Sequence, residues 1–307
     1  MTTFHLGLIG YPLGHSRSPD IHLAALNALG LTGEYRLYPV PPLPEGGTGL
    51  RDLADRMRTA EIHGLNVTIP HKGSIASYLD DLAPAAASIG AVNTILYRDG
   101  RLVGENTDAP GFLANLESLA PDLFSSNSKP RSALVLGAGG SARAVVWALL
   151  NAGWRVTIAA RRIEQAQELA IRYQFSVINE TDSTIETQKL EDGHQLSAIQ
   201  YEQLALSNLI THHSFPMTLI VNCTSLGMSP AIDDSPWPND IPFPQSATVY
   251  DLVYNPLETL LVRQARQSGL RAFTGLGMLV EQAALAFELW TGLPAPRDVM
   301  RKAVRQV

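Results

Sequence analysis

A single cysteine, Cys223, occurs in the 307 residues, which excludes an intrachain disulfide and supplies neither a thiol-based metal site nor a redox pair. Blocks of like charge are missing too. The formal net charge is -6 and 17 % of residues are charged, with no basic stripe, so there is no footprint for nucleic acid or an anionic membrane. No run of 18 apolar residues is present; the best candidate, LGMLVEQAALAFELW, is interrupted by Glu281 and Glu288. The opening MTTFHLGLIG has no basic region and enters a strand pattern at once, so no signal peptide is expected and a reducing, cytoplasmic setting is the default. Internal repeats and low-complexity tracts are absent.

What remains is ordinary globular composition, 45 % hydrophobic, in a chain long enough to form two domains rather than one. Residues 4–9 predict a strand, followed by the loop GYPLGHSRSP and a helix over 20–29. A strand over 35–40, the loop PPLPEGGTG, helical spacing over 50–60 and a strand over 64–69 follow. AVNTILYRDGRLVGENTD reads as two strands joined at Asp99-Gly100. After a helix ending near residue 119, the polar PDLFSSNSKP is the expected domain linker. Strands over 132–136, 155–159, 218–222, 248–252 and 271–274 alternate with helices, and the last forty residues are mostly helical. Residues 176–215 are the least legible part and are expected to hold a short strand and a short helix in a surface excursion. Alternation of this kind predicts α/β layers with parallel pairing.

LVLGAGGSARAVVWAL places Gly137, Gly139 and Ala142 in G-x-G-x-x-A spacing between a strand and a helix. The first glycine allows a tight turn, the second lets backbone approach a pyrophosphate, and the alanine lets the helix pack closely. Ala138, Gly140 and Ser141 belong to the same turn, where helix amides would hold phosphates. The alternative is a merely tight strand-to-helix turn. Where an NAD site normally carries a carboxylate, this chain has Ala160, followed by Arg161 and Arg162. Two guanidinium groups suit a 2′-phosphate, which favours NADP over NAD; the alternative is a pair of exposed arginines opening a helix.

In NVTIPHK, Val67, Thr68 and Ile69 favour extended chain and Pro70 ends it, so Lys72 sits where a rigid strand hands over to a loop. It is either a solvated turn lysine or an amine kept for a substrate. Asp108, ending GENTD, also follows an extended segment, and is either a helix cap or a partner for that amine. Paired in one crevice, the two would stabilise each other's charge and manage the proton that carbonyl reduction requires.

Taken in order, GYPLGHSRSPDIH, NVTIPHK, GAVNT, NTDAPGF, GAGGSARA, NCTSLGM, YDLVYNP and GLGMLVEQA resemble the shikimate dehydrogenase family, from residue 8 to about 290. The resemblance implies a two-domain α/β fold in which a Rossmann-like NADP-binding domain, residues 125–265, is inserted into a substrate-binding and catalytic domain, residues 1–120 plus 266–307. It implies reversible reduction of 3-dehydroshikimate to shikimate with NADPH, in the route to aromatic amino acids. Lys72 and Asp108 resemble the catalytic pair. Ser16 and Ser18 would meet the substrate carboxylate, Thr68 and Asn93 the ring hydroxyls, and Asn106 would help orient the ring. Tyr254 and Gln282 would close over it. The cofactor would be met by the glycine turn, Arg161, Arg162, Thr224, Leu252, Gly275 and the segment of Gly277 and Met278.

The chain departs from the family pattern at Leu23, where asparagine is common, at Ala109-Pro110, and at His71, where an apolar residue is usual. Ala160-Arg161-Arg162 replaces the family's asparagine-arginine-threonine, so one phosphate or adenine contact is lost and Arg162 would replace it. A quinate or dual quinate/shikimate dehydrogenase, using NAD, is the alternative within the family; dual-substrate relatives often carry threonine where this chain has Ser18. A non-catalytic ligand-binding regulator is the alternative of another class, and loss of Lys72 or Asp108 would have marked it. Both residues are present. Monomer and homodimer are both compatible with such a fold, and the last helices show no heptad seam.

Overall fold

The computed structural model describes residues 3–125, 131–173, 196–200 and 217–305. Its chain divides into two compact units, Met1–Ala114 with Gly277–Val307, and Asn115–Leu276. The divisions therefore fall six residues before the expected edge at 120 and eleven beyond the expected edge at 265. Each lies at or within a helix instead of in the polar PDLFSSNSKP segment, whose second half is outside the described residues.

The first unit is built on a six-stranded sheet of β1 (Phe4–Gly10), β2 (Gly33–Pro39), β3 (Gly64–Val67), β4 (Asp81–Leu82), β5 (Thr94–Arg98) and β6 (Arg101–Glu105), in the order β2-β1-β3-β5-β6-β4. Strand β5 runs antiparallel to both β3 and β6, so these two point the same way and end beside the start of β5. Asp99 and Gly100 make the hairpin turn in left-handed conformations, φ 52° and 78°, as their types predict. Helices α1 (Ser18–Ala28) and α2 (Gly47–Arg58) make the crossovers among β1, β2 and β3, α3 (Pro84–Ile89) lies between β4 and β5, and α4 (Asp108–Leu119) follows β6. Helix α2 starts within the segment expected to be loop, and it buries Leu50, Leu53 and Met57 against Leu65, Ile95 and Leu102 of the sheet. Strand β4 and helix α3 are two and six residues long, too short for a periodic signal.

The second unit carries β7 (Ser132–Leu136), α5 (Gly140–Asn151), β8 (Arg155–Ala160), α6 (Ile163–Arg172), β9 (Leu196–Gln200), β10 (Leu219–Asn222), β11 (Thr248–Asp251), α7 (Leu260–Gln267) and β12 (Arg271–Thr274). All pairings are parallel, in the order β12-β11-β10-β7-β8-β9. Numbered from β7, this is the doubly wound 3-2-1-4-5-6 order, whose switch point lies between β7 and β10. Every residue of β10 and β11 is buried, the pattern of strands covered on both faces. The expected strand within 176–215 is met by β9; the rest of that excursion lies outside the described residues. Helices α8 (Leu276–Thr291) and α9 (Arg297–Arg305) end the chain. Among the described residues, no helix is long and apolar enough to cross a membrane, and no group of three metal-ligating side chains forms.

His22, at the family position followed here by Leu23, is fully buried in the first unit. Its ring stacks on Tyr35 at 4.5 Å between centroids, Trp290 lies 5.3 Å away, and neither ring nitrogen forms a well-aligned hydrogen bond among the described residues. Burial pushes its pKa down to about 3. The unfolded chain therefore binds a proton near pH 6.5 that the folded chain refuses, and stability falls as pH drops from 6.5 toward 3. The variant His22→Leu removes this loss. Its stability relative to the wild type, measured by denaturant unfolding at pH 7 and pH 4, is expected to improve on acidification by on the order of 3 kcal/mol; a pH-independent difference would contradict the assignment.

Candidate active site

The direction of three strands assembles the first half of the site. Lys72 follows the end of β3, Asp108 follows the end of β6, and Asn93 precedes the start of the antiparallel β5 between them. Register sets Asn66, Thr94 and Glu105 side by side, so the next residues emerge from one end of the sheet. The backbone of Lys72 is pinned there: its carbonyl accepts from the Val92 amide at 2.7 Å. The ammonium then donates to Asp108 Oδ2 at 2.6 Å, with side-chain exposures of 12 % and 6 %.

This answers the two alternatives left by the sequence. Lys72 is not a solvated turn residue, and Asp108 is not the cap of α4. Capping is done by Asn106, whose Oδ1 accepts from the Ala109 amide at 3.1 Å while its Nδ2 donates to the Ala91 carbonyl at 2.9 Å. The Asp108 carboxylate is thereby left for the amine.

Asn93 ties the pair to the sheet. Its Nδ2 donates to Asp108 Oδ1 at 3.0 Å, to Thr107 Oγ1 at 2.9 Å and to Gln282 Oε1 at 3.3 Å. Its Oδ1 accepts from the Thr107 amide at 2.7 Å and from the Thr94 hydroxyl at 3.2 Å. Gln282, on α8, also donates to the Leu279 carbonyl at 2.8 Å. Behind Asn93, Asn66 donates to its carbonyl and to Thr94 Oγ1, and takes the Tyr35 hydroxyl at 2.8 Å. Thr107, Asn66 and Tyr35 are added to the site by the structure; Thr107 and Asn66 are signalled in the sequence only by adjacency, within NTD and NVT, and Tyr35 by nothing local.

Strand β1 runs parallel to β3 and ends at the same side, so the loop carrying Ser16 and Ser18 leaves from there too. The Ser18 amide donates to Ser16 Oγ at 3.3 Å, which draws the two together at the start of α1. Thr68 is half-buried directly after β3, its amide bonded to the Ile9 carbonyl. His71 is buried and turned away from the lysine, its Nε2 donating to the Val40 carbonyl at 2.8 Å. Met278 is buried near the start of α8, in the first unit, and Tyr254 lies in the second unit three residues after β11.

In the second unit, β7 ends at Leu136 and the chain turns through Gly137, whose φ of +105° admits no ordinary side chain without strain. A Cβ added at Gly139 would meet no atom within 4 Å, so open space lies over the turn. The N-cap of α5 is Gly139, which brings no capping side chain of its own, and Ala142 is fully buried where the helix meets the sheet. Backbone amides at a helix start with open space before them fit a pyrophosphate. Ala160 is buried at the end of β8, and Arg161 and Arg162 are exposed immediately after it, neither in an ion pair among the described residues. Two exposed guanidinium groups where an acid would otherwise bind ribose fit a 2′-phosphate. Thr224 follows β10 across the switch point, with its Cγ2 3.1 Å from where a Gly137 Cβ would lie. Leu252 and Gly275 directly follow β11 and β12.

A doubly wound sheet with this turn, in a chain whose other unit holds a buried lysine–carboxylate pair, defines a nicotinamide-dependent dehydrogenase. The sequence models described as shikimate dehydrogenase substrate binding domain, shikimate / quinate 5-dehydrogenase, and shikimate 5'-dehydrogenase C-terminal domain match residues 8–95, 118–191 and 275–305. The shikimate dehydrogenase (NADP(+)) of Symbiobacterium thermophilum is 40 % identical over 301 residues, which cover 97 % of this chain and 92 % of the relative. Among solved structures, shikimate 5-dehydrogenase from Thermus thermophilus in complex with NADP(H) and shikimate is 37 % identical, with a TM-score of 0.77 over 99 % of each chain. Quinate dehydrogenase from Corynebacterium glutamicum in complex with NAD is 30 % identical, with a TM-score of 0.81 over 99 % of each chain. The chain belongs to the shikimate dehydrogenase family.

Proposed function

We propose that this chain is an NADP-dependent shikimate dehydrogenase, reversibly reducing 3-dehydroshikimate to shikimate. The observation that carries the chemistry is the buried ion pair of Lys72 and Asp108, held by Asn93. The first unit is the substrate-binding and catalytic domain and the second the dinucleotide-binding domain. When bound, NADPH supplies the hydride for the carbonyl carbon. Lys72 donates a hydrogen bond to the carbonyl oxygen, stabilises the negative charge that grows there, and donates or relays the proton that completes the alcohol. Asp108 keeps the ammonium aimed and accepts from a neighbouring substrate hydroxyl. Ser16 and Ser18 bind the substrate carboxylate, Thr68 and Asn93 discriminate the ring hydroxyls, and Asn106, Tyr254 and Gln282 complete the enclosure. The glycine turn of residues 137–142 holds the pyrophosphate, with Thr224, Leu252, Gly275 and Met278 toward the nicotinamide. A cytoplasmic setting suits a chain whose single cysteine makes no intrachain disulfide.

The quinate reading has a specific support in the similarity to a solved quinate dehydrogenase. Quinate adds a tertiary hydroxyl, and the pair Ser16 and Ser18 favours shikimate, since dual-substrate relatives often carry threonine at the second position. Initial rates of shikimate and quinate oxidation, each with NADP and with NAD, decide among these. Shikimate with NADP is expected to give a kcat/KM at least about tenfold above the other three combinations, the scale of one discriminating contact. A dominant rate with quinate or with NAD would replace this reading by the other.

The arginine assignment has its own test. Converting Arg161 and Arg162 together to alanine is expected to raise KM for NADPH by about tenfold or more while leaving KM for NADH nearly unchanged, because the lost hydrogen bonds go to the phosphate. Equal losses with both cofactors would remove the two residues from phosphate recognition.

A further inference from the structure

Asp251 ends β11 fully buried, and no step described above uses it. Among the described residues, the hydrogen-bond partners of its carboxylate are all donors. Oδ1 accepts from Asn222 Nδ2 at 2.8 Å and from the Val253 amide at 3.0 Å, and Oδ2 accepts from the Thr259 hydroxyl at 2.6 Å. Each donor is attached to something that matters at the open end of the sheet. The Oδ1 of Asn222 accepts from both the amide and the hydroxyl of Thr224, at 2.9 and 2.7 Å. Thr224 Oγ1 in turn accepts from the Leu226 amide at 3.1 Å, and Asn222 Nδ2 reaches the Leu226 carbonyl at 3.4 Å. Thr224 lies against the glycine turn after β7. On the other side, the Val253 carbonyl accepts from the Gly275 amide at 3.2 Å, which links the end of β11 to the end of β12. Thr259, besides donating to the carboxylate, caps α7 by accepting from the Val262 amide at 3.3 Å.

We propose that Asp251 is a positioning residue for the nicotinamide cofactor. Through Asn222 it holds the turn of Thr224 and Leu226 against the glycine turn, and through Val253 it fixes Leu252 and Gly275. The inference rests on the dehydrogenase function proposed above. An acceptor-only group is required, because three donors converge on it; an amide at 251 would turn an NH2 toward the Thr259 hydroxyl and leave that hydroxyl's proton without its acceptor. Keeping a charge buried here is costly to the fold. Burial pushes Asp251 up to about 6, desolvation outweighing the three donors, so at neutral pH the group is still mainly the acceptor-only carboxylate, held at a cost in stability relative to the unfolded chain.

Asp251→Asn separates the two roles. The melting temperature is expected to stay equal to the wild type or rise, while the Kd for NADP, measured by isothermal titration calorimetry, rises about tenfold. KM for NADP rises with it and KM for shikimate holds, and Thr259→Ser, which keeps the hydroxyl, retains tight NADP binding. A folded Asp251→Asn variant with the wild-type Kd would overturn the inference, as would a Kd that worsens only in step with a large fall in melting temperature. Should Asp251→Asn not fold, Thr259→Val removes one donor from the carboxylate, and an unchanged NADP Kd there overturns the inference equally. Failure of the wild-type chain itself to bind NADP would instead overturn the function on which the inference rests.

Discussion

One buried ion pair organises the first unit. Lys72 and Asp108 are almost wholly removed from water at 2.6 Å, and removing either partner alone from such a pair costs about 3–5 kcal/mol because the other charge is left unpaired. A pair of that kind stabilises a fold poorly compared with apolar side chains, so its presence asks for a chemical reason. The surroundings are consistent with one. Asn93 satisfies the second carboxylate oxygen, Thr107 and Gln282 satisfy Asn93, and Asn66 and Tyr35 steady the strand behind it. The amine is thus aimed by a chain of hydrogen bonds running back into the sheet, with little freedom to swing away.

The topology is what makes this economical. Because β5 runs against β3 and β6, three residues far apart in sequence leave the same end of the sheet. The second unit uses a different device for the same purpose. There a parallel sheet reverses its order between β7 and β10, and the glycine turn and Thr224 follow the two strands that flank the reversal. In both units the chemistry sits at strand ends, where rigid elements fix loop residues.

Much of this was legible in the sequence, for identifiable reasons. The glycine turn is readable because its residues are dictated locally, by a positive φ at Gly137 and an open approach over Gly139. The hairpin at Asp99-Gly100 is readable for the same reason. What resists reading depends on direction in space. That Asn106 caps α4 and frees Asp108 depends on which of two neighbouring side chains faces the first turn. The joining of Asn93 to Gln282 spans 189 positions, and no periodicity encodes it. The edges of the two units fall within α4 and at the first residue of α8, and a helix that runs on past an edge leaves no loop signal to mark it. His71 shows the opposite case: alternation along an extended chain implies that it turns away from Lys72, and its ring is bonded to Val40.

The central claim is that Lys72 and Asp108 act as one unit in the reaction. A double-mutant cycle of Lys72→Ala and Asp108→Asn, read as kcat for shikimate oxidation at saturating NADP, tests it most directly. The expected result is that each single variant loses most of the turnover and that the double variant is no slower than the slower single variant. Losses that multiply in the double variant, or a single variant with near-normal turnover, would contradict the claim.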